Sequence, residues 1–225
     1  MSGPYLALNG RRVVSANVMI PYYGAWCADV TIAVSDVIPL AATLTLGNLT
    51  LTGTVYRMAS FSGARSARIV GGGAGWRKTI AAQAYSNPAG IRASLILGDA
   101  AALVGEKVNL ATDAIIGKTF VRESAPAERL LRQLGGSEWW IDPSGITQVG
   151  ARPTGAITTP FLINDWSGGK GWFSVSTEAI ADWMPGRSFS NSNVTKVQQI
   201  GMTTIAASND GKLRVNVLSD GVGSQ

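Results

Sequence analysis

Apolar and polar side chains alternate along much of the first 70 residues. The alternation is clear at 14–20 and at 28–34, and it returns in two leucine and threonine runs on either side of Gly47-Asn48. A period of two places apolar side chains on one face of a β-strand, and Gly47-Asn48 has the length and composition of a tight hairpin turn. Another strand pair is predicted at 55–61 and 64–70, joined around Ser62-Gly63. Short strands at this spacing predict an antiparallel barrel or sandwich.

The pattern is less regular between residues 71 and 119. We predict, in chain order, a close backbone crossing at 71–75, a strand at 76–85, a turn at 87–90, a strand at 91–96, a short helix at 99–104 and a loop-rich connection at 106–119. Glycine-rich strand positions are typical of close backbone approach, which is the reason for the predicted crossing. Asp99 is expected to cap the helix and Gly105 to end it.

A second helix is predicted shortly after residue 120. Its apolar stripe is formed by Ala127, Leu130, Leu131 and Leu134. These positions recur at i, i+3, i+4 and i+7, which is the spacing of one helix face. We expect Ser124 to be the N-cap, Pro126 to lie in the first turn, Glu128 to face Arg132 four residues later, and Gly135-Gly136 to end the helix.

A β-hairpin is predicted directly after this helix. Its strands are 138–141 and 146–149, and the turn between them is Asp142-Pro143-Ser144-Gly145. Proline at the second position and glycine at the fourth favour a type I turn. Adjacent Trp139 and Trp140 must point to opposite faces of the first strand. We therefore expect one indole in the core and the other facing solvent, a ligand or another subunit.

Alternation returns after Pro153. Strands are predicted at 157–163, 172–176, 194–205 and 213–217, with turns at 167–171 and at Asn209-Asp210-Gly211. The predicted fold class is therefore mainly β: antiparallel β-barrel-like domains with a small α+β insert made of the helix and hairpin. We predict a barrel-like domain at 1–110, the insert at 111–155, and a C-terminal β segment at 156–225 that completes a second barrel-like domain.

The composition narrows the available chemistry. The 225 residues include no histidine, which removes Ser-His-Asp catalysis and the usual general base near neutral pH. The single cysteine, Cys27, cannot complete a zinc site, and beside Trp26 in an alternating strand it is predicted to be a buried small hydrophobe. No run reaches the 18 apolar residues that a membrane span needs. Charged residues are only 15% of the chain, which suits a protein that buries much of its exterior against partners.

Two other candidate sites have simpler explanations. The glycines before Lys78 resemble a phosphate loop, but that motif needs glycine directly before the lysine, and Arg77 stands there. Asp142 and Asp165 could form the carboxylate pair of a glycosidase. Both are predicted to lie in turns, where aspartate is common for conformational reasons.

Residues 37–98 contain no acidic residue and carry six basic ones: Arg57, Arg65, Arg68, Arg77, Lys78 and Arg92. Such a region could bind single-stranded nucleic acid, or it could be a solvated or partner-facing strand face. We favour the second interpretation because no nucleic-acid-binding signature accompanies the charges. Tryptophan is enriched at protein interfaces. The predicted assembly interface consists of Trp139, Trp140, Arg57, Arg68 and Arg77, with a sugar-stacking role for exposed tryptophans as the alternative.

The run GKTFVRESAPAERLLRQLGGSEWWIDPSGITQVGARP resembles the baseplate hub proteins of long-tailed bacteriophages and contractile injection systems. The likeness lies in an F-x-R segment at Phe120–Arg122, a small helix with paired leucines, a W-x-x-D-P-x-G-x-T hairpin starting at Trp139, and a G-x-R-P segment at Gly150–Pro153. It extends more weakly over 75–106 and into Met184-Pro185-Gly186.

This resemblance implies tube-like β domains that assemble as a homotrimeric hub ring between the tail tube and a central spike. The implied partners are copies of the chain itself, the tail tube protein, the central spike protein and other baseplate proteins, with phage DNA able to pass through the ring. The implied location is the virion tail baseplate, after synthesis in the host bacterial cytoplasm. It also implies no cofactor, no metal and no catalysis. The alternative is a soluble β-barrel module that binds nucleic acid or carbohydrate.

Overall fold

A computed structural model describes residues 5–32, 38–61, 63–136, 138–191 and 194–220. Within these ranges the chain forms twenty strands and two α-helices. The prediction of a mainly β fold with a small helical insert is confirmed. No helix in the described ranges has the length and apolar character needed to cross a bilayer.

The elements fall into three consecutive groups along the chain. The first contains β1 (Leu6–Leu8), β2 (Arg11–Arg12), β3 (Ser15–Pro21), β4 (Cys27–Ile32), β5 (Ala41–Leu46), β6 (Leu49–Phe61) and β7 (Ala64–Gly71). The second, here called the central unit (residues 72–153), contains β8 (Thr79–Ile80), β9 (Gln83–Arg92), α1 (Ala93–Val104), β10 (Val108–Leu110), β11 (Ile115–Arg122), β12 (Ala125–Pro126), α2 (Glu128–Gly135), β13 (Trp139–Ile141) and β14 (Thr147–Val149). The third contains β15 (Gly155–Ala156), β16 (Leu162–Ser167), β17 (Trp172–Ser176), β18 (Arg187–Asn191), β19 (Val194–Ser208) and β20 (Leu213–Asp220).

One large sheet joins the first and third groups. Its strand order is β16-β17-β20-β19-β3-β4-β7-β6-β5-β1-β2, and β18 and β15 branch from β19. The pairing of β3 with β19, from Ser15↔Ser208 to Pro21↔Met202, connects the two ends of the chain by hydrogen bonds. The predicted segments 1–110 and 156–225 thus contribute strands to the same sheet, and the three-domain division remains a prediction.

The alternation along the early strands has the predicted consequence. On β3, the side chains of Ala16, Val18 and Ile20 are buried, while those between them are exposed. The hairpin at Gly47-Asn48 is also confirmed, because Leu46 pairs with Leu49. The second predicted hairpin forms between β6 and β7, although Ser62 of its turn and Val34 of the second alternating run lie outside the described residues.

The third group has its own aromatic core. Phe189 packs edge-to-face against Phe173 at 5.2 Å between ring centroids, and Phe161 packs edge-to-face against Trp183 at 5.0 Å. Such pairs add roughly 0.5–1.5 kcal/mol each beyond the burial of their surface. The predicted strands 172–176, 194–205 and 213–217 are confirmed, but the strand predicted at 157–163 is misplaced, since β16 begins only at Leu162.

The central unit contains three small sheets and both helices. β9 and β11 form a two-stranded ribbon, β13 and β14 form the predicted hairpin with β10 added beside it, and β8 pairs with β12. The strand predicted at 76–85 starts late, because residues 76–78 form a turn before β8. The connection at 106–119, expected to be loop-rich, contains β10 and the start of β11.

Helix α1 starts earlier than predicted. It begins at Ala93, and Asp99 lies in its second turn and does not cap it. The side chain of Asp113 satisfies the helix start from outside, because it accepts hydrogen bonds from the Ser94 amide at 2.9 Å and the Ser94 hydroxyl at 2.8 Å. The end is as predicted, with Gly105 in the left-handed conformation at φ 77°.

The turn predicted at 87–90 lies inside strand β9. Ser86 pairs with Thr119 and Ile91 pairs with Gly117, so the four residues between them oppose only one residue of β11. The side chain of Asn87 accepts a hydrogen bond from the Ala89 amide at 3.0 Å, which closes a local turn within this bulge. The turn signal is therefore real, but it produces a bulge and not a chain reversal.

Helix α2 also begins differently from the prediction. Its first residue is Glu128, and Ala125-Pro126 instead forms strand β12, which pairs with β8. Ser124 is therefore not the N-cap, because the extended residues of β12 separate it from the helix, whose N-cap position is Ala127. The apolar stripe is correct, since Leu130 and Leu131 are buried, and the Glu128–Arg132 pair forms at 3.7 Å.

Candidate functional site

Four of the five predicted interface residues line a single cavity. Arg57, Arg68, Arg77 and Trp139 border a space of about 470 Å³ in the corner between the large sheet and the central unit, hereafter the corner cavity. Strands β3, β4, β6 and β7 form one wall, and the glycine loop 71–75 and the hairpin form the other. Trp140 lines a different cavity, on the side of the hairpin that faces β3 and residues 181–187.

The corner cavity combines an apolar floor with three guanidinium groups. Met19, Val70 and Ile141 contribute apolar surface. Arg68 donates two hydrogen bonds to Asp29, at 2.8 and 2.6 Å, and this contact lowers the pKa of the Asp29 carboxyl. The Arg57 guanidinium lies over the Tyr56 ring at 5.5 Å from its centroid. No carboxylate in the described ranges forms an ion pair with Arg57 or Arg77.

The glycine loop at the back of the cavity holds a carboxylate of this chain. Glu106 is buried, and its carboxylate accepts hydrogen bonds from the Gly73 amide at 2.9 Å and the Gly75 amide at 2.6 Å. A side chain at Gly75 would place Cβ 2.1 Å from the Val104 carbonyl oxygen. The predicted close backbone crossing is confirmed. The loop thus uses its amides as a phosphate loop does, with a glutamate in the place of the anion.

The exposed indole expected at Trp139 or Trp140 is not found, because both side chains are buried, with 9% and 8% of their surfaces exposed. The hairpin adds its edge to the loop after β3. Gly24 donates to the Trp139 carbonyl at 2.7 Å and accepts from the Ile141 amide at 3.2 Å. The Trp139 indole is thereby covered at the corner cavity, and the Trp140 indole is covered by Arg152. Their assembly role remains a prediction that concerns only their small accessible edges.

Arg152 holds the hairpin against the end of β3. Its guanidinium lies 4.9 Å from the Trp140 ring centroid and 5.8 Å from that of Tyr22. It donates hydrogen bonds to the backbone carbonyls of Pro21, at 2.9 Å, and Tyr22. Burial lowers the pKa of Arg152 to about 10, because its described partners are carbonyls and rings and not a carboxylate. Arginine at this position of the G-x-R-P segment is therefore architectural.

Arg122 of the F-x-R segment performs a similar function in the β9–β11 ribbon. It is only 3% exposed, and it donates to the Tyr85 hydroxyl at 2.9 Å, to Asp99 at 3.2 Å and to Gln83 at 2.8 Å. Tyr85 in turn donates to Asp99 at 2.6 Å. Since Asp99 belongs to α1, this cluster fixes the helix on the ribbon.

The Tyr85 contact predicts a measurable pH response. Burial and the hydrogen bond to Asp99 raise the pKa of Tyr85 to about 12. The unfolded phenol ionises near pH 10, so the stabilisation from the neutral phenol is complete below pH 10 and is lost as the pH rises toward 12. An ultraviolet absorbance titration should show this late ionisation. Tyr85→Phe should remove it, and Asp99→Asn should move it to lower pH. An unchanged profile in Asp99→Asn would contradict the assigned contact.

Asp142 and Asp165, considered above as the carboxylate pair of a glycosidase, lie in different elements of the structure. Asp142 accepts from Ser144 at 2.6 Å, from the Ile146 amide at 3.0 Å and from Gln148 at 2.7 Å, so its role in the hairpin turn is confirmed. Asp165 does not lie in a turn as expected. It is part of β16, the terminal strand of the large sheet, and is exposed there.

The remaining predicted features are more dispersed. Cys27 is half-buried and lines the corner cavity, where burial raises the pKa of its thiol, so it is not the fully buried residue that was expected.

Arg92 pairs with Asp113 at 3.5 Å, and Lys78 donates to the Val104 carbonyl at 3.4 Å. The basic residues therefore do not form one continuous strip. All seven tryptophans lie in described ranges, and among them only Trp166 is exposed.

Sequence reasoning did not identify Glu106, and it did not assign contacts to Arg122 and Arg152. The two arginines belong to the F-x-R and G-x-R-P segments, so their recurrence in a motif was the available signal. Glu106 lies at the end of the weaker part of the resemblance, but its contact had no local signal, because its partners are the amides of a glycine loop more than thirty positions earlier in the sequence.

Comparison with known proteins shows that the fold of this chain is similar to that of several solved structures. No protein-family model and no curated protein sequence matches the chain. The E. coli c3393 protein, a component of the type VI secretion system with structural similarity to the T4 bacteriophage tail proteins gp27 and gp5, superposes with a TM-score of 0.63 at 12% identity, over 96% of this chain and 76% of that one.

Two tail proteins superpose equally well. The 43 kDa tail protein of prophage MuSo2 from Shewanella oneidensis has a TM-score of 0.63 at 13% identity, over 95% of each chain. The tail protein from Neisseria meningitidis MC58 has a TM-score of 0.63 at 13% identity, over 98% of this chain and 97% of that one. The chain has the fold of phage tail proteins, which confirms the resemblance at the level of structure.

Proposed function

We propose that the protein is a structural subunit of a phage tail baseplate, in which three copies form a hub ring between the tail tube and the central spike. The observation that carries this proposal is the fold likeness to tail proteins over nearly the whole chain. In this role the chain contacts its own copies, the tube protein, the spike protein and other baseplate proteins, and phage DNA passes through the ring. Its place is the virion, after synthesis in the bacterial cytoplasm.

The open ends of the large sheet support assembly with further chains. Its terminal strand β16 has no neighbour on its outer edge in the described part of the chain. This strand also exposes Leu162 at 71% and Trp166 at 49%. An unpaired edge strand that carries large apolar side chains is prone to association, and natural proteins cover or blunt such edges. A copy or another tail protein on β16 would satisfy both its backbone and its side chains.

The proposal includes no catalytic step. The charged residues of the resemblance motif are used inside the fold: Arg122 clamps α1, Asp142 holds the hairpin turn, and Arg152 holds the hairpin on β3. Side chains with such architectural contacts are consistent with a structural subunit.

Native mass spectrometry and electron microscopy of the purified protein test the ring. We expect a trimer whose population rises with concentration. Leu162→Lys should weaken self-association by roughly tenfold, because a charge on the edge strand opposes pairing, and should leave the thermal midpoint of the dissociated chain unchanged. Ser66→Lys, on a central strand of the same sheet, is the matched control and should still assemble. A chain that stays monomeric at every accessible concentration and beside its tail neighbours would refute the proposal.

A further inference from the structure

We propose that the corner cavity binds a peptide segment of a different protein, in which a carboxylate side chain lies next to an apolar one. The cavity volume of about 470 Å³ is in the usual range of ligand sites, about 300–1,000 Å³. This inference concerns what the cavity recognises, and it does not depend on the ring described above.

The charge at the cavity favours a carboxylate. Arg57 and Arg77 are exposed at its border, one on the sheet wall and one on the central-unit wall, and neither forms an ion pair within the described ranges. The nearby carboxylates already have partners, since Asp29 binds Arg68 and Glu106 binds the loop amides. A carboxylate from outside would gain charge-assisted hydrogen bonds with these two guanidinium groups.

The floor favours a peptide over a nucleic acid. Met19, Val70 and Ile141 present apolar surface that an aliphatic or aromatic side chain can cover. Trp139 and Trp76 are both buried, so neither offers an open face on which a base could stack.

The net charge of this protein favours a carboxylate from a different protein. This protein has a net charge of +5, and its described acidic residues are mostly engaged. Asp99, Asp113 and Asp210, for example, form ion pairs with Arg122, Arg92 and Lys212. A second copy therefore offers few free carboxylates, whereas an acidic partner would complement both the cavity and the whole chain.

Fluorescence anisotropy with labelled peptides tests this inference on the full-length protein. The probe is a short capped peptide with an Asp-Leu-Asp centre, and its matched control has Asn-Leu-Asn. We expect the Asp peptide to bind at least tenfold more tightly, with binding that weakens as salt is added. Arg57→Gln and Arg77→Gln should each weaken binding about fivefold, as expected for a partly sheltered ion pair. Arg214→Gln, an exposed arginine on β20 with the same charge change, should have no effect.

The chain's single cysteine reports where the peptide sits. Cys27 lines the cavity, so the bound Asp peptide should slow its alkylation, and circular dichroism should show that every variant is folded. Equal binding of the two peptides, no binding at millimolar concentration, or unchanged binding by the double arginine variant would each overturn the inference. Stronger binding of single-stranded oligothymidine with the same dependence on Arg57 and Arg77 would also overturn it, and would identify a nucleic acid site.

Discussion

Replacing Gly75 by alanine should lower the free energy of unfolding by about 3 kcal/mol, which combines overpacking with a disturbed hydrogen bond to a charged group. The added Cβ would lie 2.1 Å from the Val104 carbonyl oxygen, a backbone atom at the end of α1 that cannot rotate away. The helix end or the loop must therefore move. Either movement lengthens the 2.6 Å hydrogen bond from the Gly75 amide to Glu106, which leaves a buried carboxylate underpaired.

Urea unfolding followed by circular dichroism measures this loss. The matched control is Gly98→Ala in the middle of α1, where an added Cβ meets no atom within 4 Å. Alanine is favoured over glycine in a helix interior by about 1 kcal/mol, so this variant should be more stable than the parent. The same substitution, glycine to alanine, is thus expected to lower the free energy of unfolding at residue 75 and to raise it at residue 98. A Gly75→Ala protein as stable as the parent would show that the crossing is looser than described.

The large sheet was predictable because its signal is local. Each half-buried strand carries its own period of two, and the turns between neighbouring strands consist of glycine, asparagine or aspartate that need no distant partner. β3, β5, β19 and β20 follow directly from this pattern. The order of the strands in the sheet could not be predicted from this pattern. The pairing of β3 with β19 joins residues almost two hundred positions apart, and neither strand has a sequence feature that specifies its partner.

The helix and strand boundaries predicted for the central unit were wrong for a different reason. Residues 91–98 mix apolar residues with Arg92 and Ser94, and their spacing alone does not distinguish a strand from a buried helix, so the strand predicted at 91–96 is wrong from Ala93 onward, where α1 begins. Its helix start depends on Asp113, twenty residues later. Ser124 and Pro126 are good helix-start residues in isolation, but the pairing of β12 with β8 keeps the chain extended there. Tertiary contacts override local preference in both cases.

The candidate site shows the same division between local and distant information. Four of the five residues of the predicted interface border one cavity, and their role in assembly remains a prediction. The expectation of an exposed indole was wrong because it considered only the two faces of one strand. Both faces of β13 are covered within the same chain, one at the corner cavity and one by Arg152.

Replacing Arg152 by alanine should lower the free energy of unfolding by about 3 kcal/mol, and two effects oppose each other in that sum. Removing the guanidinium relieves its desolvation, and the shift of its pKa from 12.5 to about 10 corresponds to roughly 3 kcal/mol against the charged form. The losses are larger. The carbonyls of Pro21 and Tyr22 lose charge-assisted hydrogen bonds, at about 1.5–3 kcal/mol each, and the Trp140 ring loses its cover.

Arg152→Met separates these terms, because methionine keeps most of the packing over Trp140 while removing the charge and the donors. We expect it to lose about 1–2 kcal/mol, less than the alanine variant, since unpaired carbonyls are then the main deficit. In a chain of this size, each kcal/mol lowers the thermal midpoint by about 2–4 °C, so calorimetry resolves the two variants. If both variants match the parent, Arg152 does not hold the hairpin on β3. If methionine is stabilising while alanine is destabilising, packing alone fixes the hairpin, and the hydrogen bonds to Pro21 and Tyr22 make no net contribution.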